Sequence, residues 1–511
     1  MSRAGQAGEP TGRRASTHPG AAAGTARSRT VVGAVRARAA LGVVLTLATV
    51  GALAGCTDRA DPDGSRTDGR SDSRTDSRGT AGVGDPYFPT YGNGGYDVAG
   101  YALRVRYDPA TDRLDGTATI TATSTGPLTR FNLDLVGLTV TTVTVDGRAA
   151  GHRRDGAELV VTPADRIAAD RRFTVEVRYA GVPATVTSPE LGNGGFLHTS
   201  DGAVAVGQPQ SASTWFPVND HPSDKATYVI EVTVPDGLAA LSNGEPTGRT
   251  SADGWTTWKW AERTPMASYL STLVIGEYRV STGEHKGRPV VTAVAAGLPA
   301  DGPAARSIAR TTEIADYLES VFGPYPVTAY GGIAIDDPRV GYALETQSRP
   351  VYGPGFFRDG RPNLDVVVHE LAHQWFGNSV SIRRWPDIWL NEGLASYAEW
   401  LWAEHTGGQT VHRSFELQYA VTDWSKPTLD PGRAELFSTA VYQRGALAVH
   451  ALRRTVGDDT FFRILRTWTA ERRDGTVVTA DLVALAERVS GRSLRPLFDA
   501  WLVGTTAPDV P

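Results

Sequence analysis

The chain has a single cysteine among its 511 residues, Cys56, so no disulfide bond can form within it. A strong excess of one charge is also lacking, because 51 Lys and Arg face 56 Asp and Glu and leave a formal net charge of −5. That balance argues against a nucleic-acid partner and gives no reason to expect an acidic one. The apolar run from Ala39 to Leu53 has about 15 residues, too few to span a bilayer comfortably.

This apolar run belongs to a predicted export signal that covers residues 1–55. Residues 1–38 contain seven Arg and one acidic residue, Glu9, and a positive region before a short apolar core is typical of a signal peptide. Residues 53–56 read Leu-Ala-Gly-Cys, which resembles the cleavage box of bacterial lipoproteins. The pattern predicts that Cys56 becomes the lipid-modified first residue of the mature protein. We then expect the protein on the outer face of the bacterial cytoplasmic membrane, or secreted if the box is not used. The alternatives are an ordinary secretory signal with a coincidental cysteine, or a cysteine of the protein core.

Composition and periodicity divide the rest of the chain into a tether and two domains. Residues 56–84 are predicted to be a disordered tether, because Ser, Thr, Asp, Arg and Gly dominate and little can be buried. From about 97 to 290 apolar and polar residues alternate, as in 101–107 and 173–179, which is typical of half-buried strands. Residues 85–295 are therefore predicted to form a β-rich domain with antiparallel sheets.

After about residue 300 the apolar spacing becomes helical. Residues 307–322 carry apolar side chains at helical spacing and end before a Gly-Pro pair, and a short strand at 332–335 follows. Gly457 and Gly491 are predicted to end two of the tail helices. The predicted tail helices cover 435–455, 459–470, 479–490 and 494–503. The predicted fold class is α+β, with a mainly helical domain over 296–511 after the β-rich one.

The most informative segment is 369–373, which reads His-Glu-Leu-Ala-His. Residues four apart lie on one face of a helix, so His369 and His373 can present imidazole nitrogens to one metal ion. Glu370 lies about 100° around the helix, where a general base for a metal-activated water belongs. Glu392 supplies a third ligand 19 residues after His373. Two His and one Glu leave a fourth position open, which is typical of a catalytic rather than a structural zinc site.

The alternative is a chance pattern on a surface helix with two solvated His side chains. The surroundings favour the metal site, because residues 365–376 form a predicted amphipathic helix and a second predicted helix begins near Glu392. A buried ionised carboxylate is costly without a counter-charge, and a zinc ion supplies one. One Zn²⁺ per chain is therefore the predicted cofactor.

With these residues and the segment 341–347, the chain resembles the M1 family of zinc aminopeptidases from about Asp85 to its C-terminus. Residues 369–378 and 389–393, the latter Trp-Leu-Asn-Glu-Gly, are similar to the two zinc segments of the family and have its spacing. The resemblance implies a saddle-like β domain, a thermolysin-like catalytic domain and removal of N-terminal residues from peptides. About 70 residues follow Tyr442, too few for the large C-terminal helical domain of long members, so the chain resembles a short form with a more open cleft.

In the family, a Gly-Ala-Met-Glu-Asn segment binds the free N-terminal amine of the substrate. The matching stretch here reads Gly-Tyr-Ala-Leu-Glu-Thr-Gln, so Glu345 falls on the amine-binding Glu, Ala343 is kept as a substrate-binding residue and Tyr342 replaces the first Gly. An ammonium group bound in a cleft needs a negative partner. The second amine contact of the family is a Glu or Gln nine residues before a Pro. Gln208 holds that place, with Gln210 as a nearby competitor.

The sequence Tyr-Gln-Arg-Gly-Ala at Tyr442 resembles a Tyr-x-Lys-Gly-Ala segment of the family, with Arg444 in place of Lys. The Tyr of the family donates a hydrogen bond to the tetrahedral oxyanion. A phenol suits this role because it is neutral at pH 7 and donates strongly. The alternative for Tyr442 is a core Tyr on a helix.

Rival functions share most of these residues. A zinc endopeptidase would use the same metal ligands without any amine requirement, and Glu345 would then be idle. An envelope-anchored binding lipoprotein with a structural zinc would have no use for the base Glu370. The epoxide hydrolase activity of one family branch has no specific support in the sequence. The predicted partners are peptides with a free N-terminus and, through Cys56, a membrane surface; no nucleic acid and no obligate protein partner are expected.

Overall fold

The computed structural model describes residues 78–511. The predicted export signal, Cys56 and most of the predicted tether therefore lie outside the described residues. At 78–84, the end of the predicted tether, the backbone is already paired, and the amide of Gly79 donates to the carbonyl oxygen of Arg130 over 2.8 Å. The backbone pairing thus begins before the predicted start of the β-rich domain at residue 85, and composition does not reveal such pairing.

In the described part of the chain, eighteen strands precede the first α-helix. They are β1 Tyr96–Asp108, β2 Arg113–Ser124, β3 Phe131–Asp134, β4 Thr139–Val145, β5 Arg148–Ala149, β6 Gly151–Asp155, β7 Glu158–Thr162, β8 Arg172–Gly181, β9 Thr185–Ser188, β10 Gly192–His198, β11 Ala203–Val206, β12 Lys225–Pro235, β13 Ala239–Ser242, β14 Glu245–Ala252, β15 Trp255–Ala267, β16 Leu273–Gly276, β17 Tyr278–His285 and β18 Arg288–Ala295. The largest sheet has the order β14-β15-β12-β1-β2-β8-β4-β5. Its neighbouring strands are antiparallel, as predicted, except that β1 and β12 run parallel.

The long strands of this sheet bury every second side chain. In β12, Tyr228, Ile230, Val232 and Val234 are buried and the residues between them are not, which is the pattern that the alternation predicts. Two smaller sheets, β13-β16-β11-β10-β9 and β3-β7-β6, join the same buried cluster. The β-rich part is therefore held by one apolar core between its sheets.

A five-stranded sheet connects the β-rich part with the helical part. Its order is β17-β18-β19-β21-β20, with β19 Tyr330–Ala334, β20 Ala343–Leu344 and β21 Val351–Tyr352. Strand β18 pairs with β19 in parallel, from Val290 opposite Tyr330 to Val294 opposite Ala334. The predicted boundary at 295/296 thus falls between two paired strands of one sheet. Two further short strands, β22 Ser381–Ile382 and β23 Thr476–Val477, pair with each other.

The helical part carries the predicted metal-binding segments. Its helices are α1 Pro303–Ile308, α2 Thr311–Phe322, α3 Leu364–Ala372, α4 Trp389–His405, α5 Val411–Val421, α6 Gly445–Val456, α7 Asp458–Glu471, α8 Thr479–Ser490 and α9 Arg495–Phe498, with π-helical turns at Ala440–Arg444 and Asp499–Val503. The side chain of Asn363 caps α3 by accepting from the amide of Val366 at 3.4 Å. No helix between residues 78 and 511 has both the length and the apolar character needed to cross a bilayer.

The helices differ from the predicted ones in a few places. Helix α2 begins later than predicted, because α1 is a separate helix, and α5 has no counterpart among the predicted helices. Helix α3 ends before His373, and the chain then turns at Gly377, whose φ of 120° is readily adopted only by glycine. The predicted stops at Gly457 and Gly491 follow α6 and α8 with φ of 79° and 69°. A helix end marked by a capping glycine is therefore easier to predict than the end of α3, which depends on contacts with other parts of the fold.

Candidate active site

Helices α3 and α4 bring three potential metal ligands together. His369 lies in the last turn of α3, His373 caps its C-terminus, and Glu392 lies in the first turn of α4. Oε2 of Glu392 is 3.3 Å from Nε2 of His369 and 3.4 Å from Nε2 of His373. The polar atoms of the three side chains therefore converge on a common point. The side chains are largely buried, so bulk water has little access to that point.

Hydrogen bonds fix the opposite nitrogen of each imidazole. Nδ1 of His369 is 2.6 Å from Oε1 of Glu399, and Nδ1 of His373 is 3.0 Å from the backbone oxygen of Phe376. Both oxygens accept, so each Nδ1 carries a proton, and each Nε2 is the nitrogen that can offer a lone pair to a metal ion. An acceptor behind the imidazole is the usual arrangement for a His that ligates a metal ion.

The ligand atoms fit a zinc ion. Atoms that bind Zn²⁺ tetrahedrally at about 2.0–2.1 Å lie about 3.4 Å apart, which matches the 3.3 Å and 3.4 Å separations from Glu392. Burial opposes ionisation of Glu392, but His373 and His369 hold its pKa at about 2, so it is a charged ligand. Two imidazoles and one carboxylate leave the fourth tetrahedral position to water or substrate, as in catalytic sites.

Glu370 shares a cavity of about 370 Å³ with the three ligands. A carboxylate oxygen of Glu370 lies within 4.8 Å of a carboxylate oxygen of Glu345 and of a ring nitrogen of His373. Burial raises the pKa of Glu370 to about 8 and shifts the pKa of Glu345 upward as well. The cavity therefore favours bound cations, because a positive charge compensates buried carboxylates.

Glu345 and Gln208 meet in this cavity although 137 residues separate them. Gln208 follows β11 and Glu345 follows β20, and Nε2 of Gln208 lies 3.4 Å from Oε1 of Glu345. The hydroxyl of Tyr269 donates to the same Oε1 over 3.0 Å. Ala343 lines the cavity too, whereas the competing residue Gln210 lines a different one. The structure thus brings the predicted amine-binding residues to the predicted metal site.

Side chains that follow the metal-binding helix hold the backbone of Glu345. Its carbonyl oxygen accepts from Nε2 of Gln374 at 3.3 Å and from Nδ2 of Asn378 at 2.8 Å. The amide of Ser348 donates to Oε1 of Gln374 over 2.8 Å. The polar residues of the segment 369–378 beyond the two His therefore tie the amine-binding loop to the metal site.

Tyr442 lies in the π-helical turn Ala440–Arg444, directly before α6. Its ring stacks on that of His369, with centroids 5.8 Å apart and planes at 23°, and its hydroxyl contacts Glu392. Burial raises the pKa of Tyr442, so the phenol stays neutral and can donate a hydrogen bond. Single π-helical turns occur frequently at functional sites, and this one aims a phenol at the metal ligands.

Two contacts hold the π-helical turn against its surroundings. The buried guanidinium of Arg444 donates to the carbonyl oxygens of Trp501 at 2.8 Å and Trp424 at 3.1 Å. A Lys could not replace it here, because its ammonium group lacks the planar fork of donors that reaches both oxygens. Gly445 faces Gly393 of α4 so closely that a Cβ on Gly393 would lie 2.8 Å from the Cα of Gly445. This close approach places the turn that carries the phenol next to the helix that carries the carboxylate ligand.

Glu399 and Tyr269 contact predicted site residues but are not themselves among the predicted ones. Glu399 lies seven residues after Glu392, or about two helical turns, so helical spacing on α4 is a signal that could have found it. Tyr269 carries no such signal, because its contact with Glu345 joins residues that are 76 positions apart. Contacts of that kind are visible only in the folded chain.

Comparison with known proteins places this geometry in a family. Residues 98–270 match the peptidase M1 N-terminal domain, and residues 311–501 match the peptidase family M1 domain. The structure is similar to that of a Deinococcus radiodurans M1 zinc metallopeptidase variant bound to a Tyr-Ser-Ala substrate. The TM-score is 0.77 at 30% sequence identity, over 84% of this chain and 99% of that chain. The chain belongs to peptidase family M1. The predicted family, the α+β fold class and zinc as the single metal cofactor are thereby confirmed.

This M1 peptidase also has longer relatives. It is 33% identical over 319 residues to glutamyl aminopeptidase of Sus scrofa, across 58% of this chain and 34% of that protein. It is 29% identical over 327 residues to aminopeptidase M1-A of Oryza sativa subsp. japonica, across 58% of this chain and 36% of that protein. The match thus spans about a third of the length of these curated relatives.

In this M1 peptidase, removal of Glu399 is expected to weaken zinc binding. The variant Glu399→Ala leaves Nδ1 of His369 without its acceptor, so the imidazole loses its fixed orientation and part of its basicity. We expect the zinc dissociation constant to rise about 10–100-fold, measured by competition with a chromophoric chelator. Glu416→Ala, which removes an exposed acid of α5, is the control and should leave zinc affinity as it is. Unchanged affinity in Glu399→Ala would contradict the role of this contact.

Proposed function

We propose that this M1 peptidase is a zinc-dependent aminopeptidase that removes N-terminal residues from peptides. The observation that carries the proposal is the buried carboxylate of Glu345, which lies within 4.8 Å of Glu370 and His373 in the metal cavity. A free α-ammonium group gains a charge-assisted hydrogen bond there. A blocked N-terminus would leave the buried carboxylate without a cationic partner, which is unfavourable. The aminopeptidase names of the two curated relatives support the same assignment.

The proposed chemistry assigns one task to each side chain. Zinc, held by His369, His373 and Glu392, supplies Lewis-acid chemistry when bound, lowering the pKa of a water molecule to about 7 and polarising the scissile carbonyl. Glu370 accepts the proton of the attacking water and passes it to the leaving amine. It can do so despite its burial because the positive charges of bound zinc and of the substrate ammonium group would lower its pKa. Tyr442 donates a hydrogen bond to the oxyanion that forms at the carbonyl.

The substrate amine is held on the other side of the cavity. The carboxylate of Glu345 accepts from the ammonium group, and the amide oxygen of Gln208 is a second acceptor for it. Because the ammonium group is fixed at one place, only the first peptide bond reaches Glu370. The arrangement therefore selects cleavage after the first residue over cleavage within a chain.

Cleavage of one short peptide in its free and its N-acetylated form tests this function. We expect kcat/KM for the free form to exceed that of the acetylated form by at least ~100-fold, because acetylation removes the charge that Glu345 binds. Products are quantified by mass spectrometry, with and without a chelator. Equal cleavage of both forms would select the zinc endopeptidase instead, and zinc without any cleavage would select a binding protein with a structural metal.

We also propose that the protein is attached to the outer face of the cytoplasmic membrane by a lipid on Cys56. The support is the sequence alone: an Arg-rich segment, a short apolar core and the Leu-Ala-Gly-Cys segment that places the sole thiol of the chain at the cleavage box. Metabolic labelling with a radioactive fatty acid should mark the wild type but not Cys56→Ala. Equal labelling of both would contradict the anchor, and release of unlabelled wild type into the medium would indicate secretion.

A further inference from the structure

Tyr269 contacts Glu345 of the active-site cavity from the β-rich part of the chain. It lies in the short 3-10 turn Ser268–Leu270 between β15 and β16, and only 1% of its surface is exposed. Its hydroxyl donates to Oε1 of Glu345 over 3.0 Å. Tyr269 takes part in no step of the proposed reaction, yet it contacts Glu345, the carboxylate that binds the substrate amine.

The position of the Tyr269 ring is fixed on both sides. The hydroxyl of Ser268 donates to Oδ1 of Asp220 over 2.8 Å, and the hydroxyl of Ser271 donates to the carbonyl oxygen of Ser268 over 2.7 Å, which holds the turn. The ring packs against Trp385 of the helical part, with centroids 5.8 Å apart at 59°. A side chain held this way presents its hydroxyl without further loss of rotamer freedom.

The contact determines which oxygen of Glu345 faces a ligand. Among the residues that the structure describes, both side-chain hydrogen bonds to this carboxylate go to Oε1, one from Tyr269 and one from Gln208 at 3.4 Å. Among these residues no side chain donates to Oε2, so this oxygen can accept from the substrate. Burial raises the pKa of Tyr269, so its hydroxyl remains a donor, and a donated hydrogen bond favours the ionised form of Glu345.

We propose that Tyr269 is a positioning residue for the substrate amine, whose hydroxyl holds the carboxylate of Glu345 in the orientation that binds the ammonium group. The inference rests on the proposed aminopeptidase function. The ammonium group is bound alike in the ground state and in the transition state, so loss of this hydrogen bond weakens both equally. The effect is therefore expected in KM rather than in kcat.

The variant Tyr269→Phe in the zinc-loaded full chain tests the proposal. It keeps the ring against Trp385 and removes the hydroxyl, which donates to Glu345 and also has a hydrogen bond with Gln208. We expect KM for a dipeptide with a free amine to rise about 10-fold while kcat changes less than about 3-fold. Tyr228→Phe is the matched control, because Tyr228 is a fully buried residue of the same β-rich part whose hydroxyl lacks a hydrogen-bond partner within residues 78–511. Its KM should equal that of the wild type.

A double-mutant cycle separates positioning from general loosening. If Tyr269 acts through Glu345, then Tyr269→Phe adds no further rise in KM to the variant Glu345→Gln. Additive effects on KM, or a Tyr269→Phe enzyme with wild-type KM, would overturn the proposal. Calorimetry measures binding of L-arginine and of N-acetyl-L-arginine without turnover. Tyr269→Phe should weaken the affinity for L-arginine and leave the affinity for N-acetyl-L-arginine unchanged.

The outcomes also distinguish this proposal from the proposed function. A wild type that cleaves acetylated and free peptides equally well overturns both. If the wild type prefers the free amine but Tyr269→Phe has an unchanged KM and an unchanged affinity for L-arginine, only the role of Tyr269 is overturned. A fall in melting temperature with no change in the preference for free amines would assign Tyr269 a purely structural role and overturn the proposal as well.

Discussion

The variant Glu370→Gln is expected to lose about 10⁴-fold in kcat while it keeps its zinc. Glutamine matches the shape of the side chain but cannot take up a proton, and one group here serves first as base and then as acid. The loss corresponds to about 5 kcal/mol of barrier. Zinc is retained because the three ligands, His369, His373 and Glu392, converge on one another without Glu370. The measurements are turnover of a fluorogenic amino-acid amide and metal content of the purified protein.

The control for this variant is Glu471→Gln, an exposed acid of α7 paired with Arg488. It should keep wild-type turnover, because surface ion pairs contribute little even to stability. Near-complete activity of Glu370→Gln would remove Glu370 from the mechanism. Loss of zinc from Glu370→Gln would instead mean that the side chain supports the metal, so the two measurements must be made on the same preparation.

The variant Tyr442→Phe is expected to lower kcat about 10²–10³-fold, or about 2.7–4 kcal/mol, with KM changed much less. Phenylalanine keeps the stacking on His369, whose ring centroid is 5.8 Å away, and removes only the hydroxyl. The hydroxyl is needed when negative charge develops on the carbonyl oxygen, so its loss affects the transition state and not substrate binding. Steady-state kinetics on the same fluorogenic amide separate kcat from KM.

Tyr419→Phe is the comparison for this variant, because it also deletes a tyrosine hydroxyl, one that donates to the carbonyl oxygen of Pro508 away from the cavity. Its kcat should stay within about 2-fold of the wild type. Full activity of Tyr442→Phe would show that the oxyanion needs no help from the phenol. A rise in KM at constant kcat would place Tyr442 among the residues that bind the substrate in its ground state.

The metal site could be predicted from the sequence because most of it is local. The spacing of His369 and His373 determines their common helix face before any tertiary structure exists. Alternation of apolar residues likewise predicted the long strands, since a half-buried sheet leaves that pattern in any strand. Glu345 and Tyr442 needed the family resemblance, because nothing in their own neighbourhoods specifies a metal or a substrate nearby.

The remaining features depend on contacts between distant segments. Tyr269 contacts Glu345 only after the β-rich part has packed on the helical part, and no sequence periodicity predicts such a contact. The parallel pairing of β1 with β12 is of the same kind, because strand patterns do not encode direction. The pairing at 78–84 is made by backbone amides, which nearly all residue types share, so composition does not predict it.

The pairing of β18 with β19 has a consequence for how the molecule can be divided. A fragment that begins at residue 296 would lack β17 and β18 and would present β19, whose five residues are all buried, as a bare sheet edge. Such an edge invites pairing between chains and aggregation. The catalytic helices are therefore not a detachable module, and both halves should melt in a single cooperative transition.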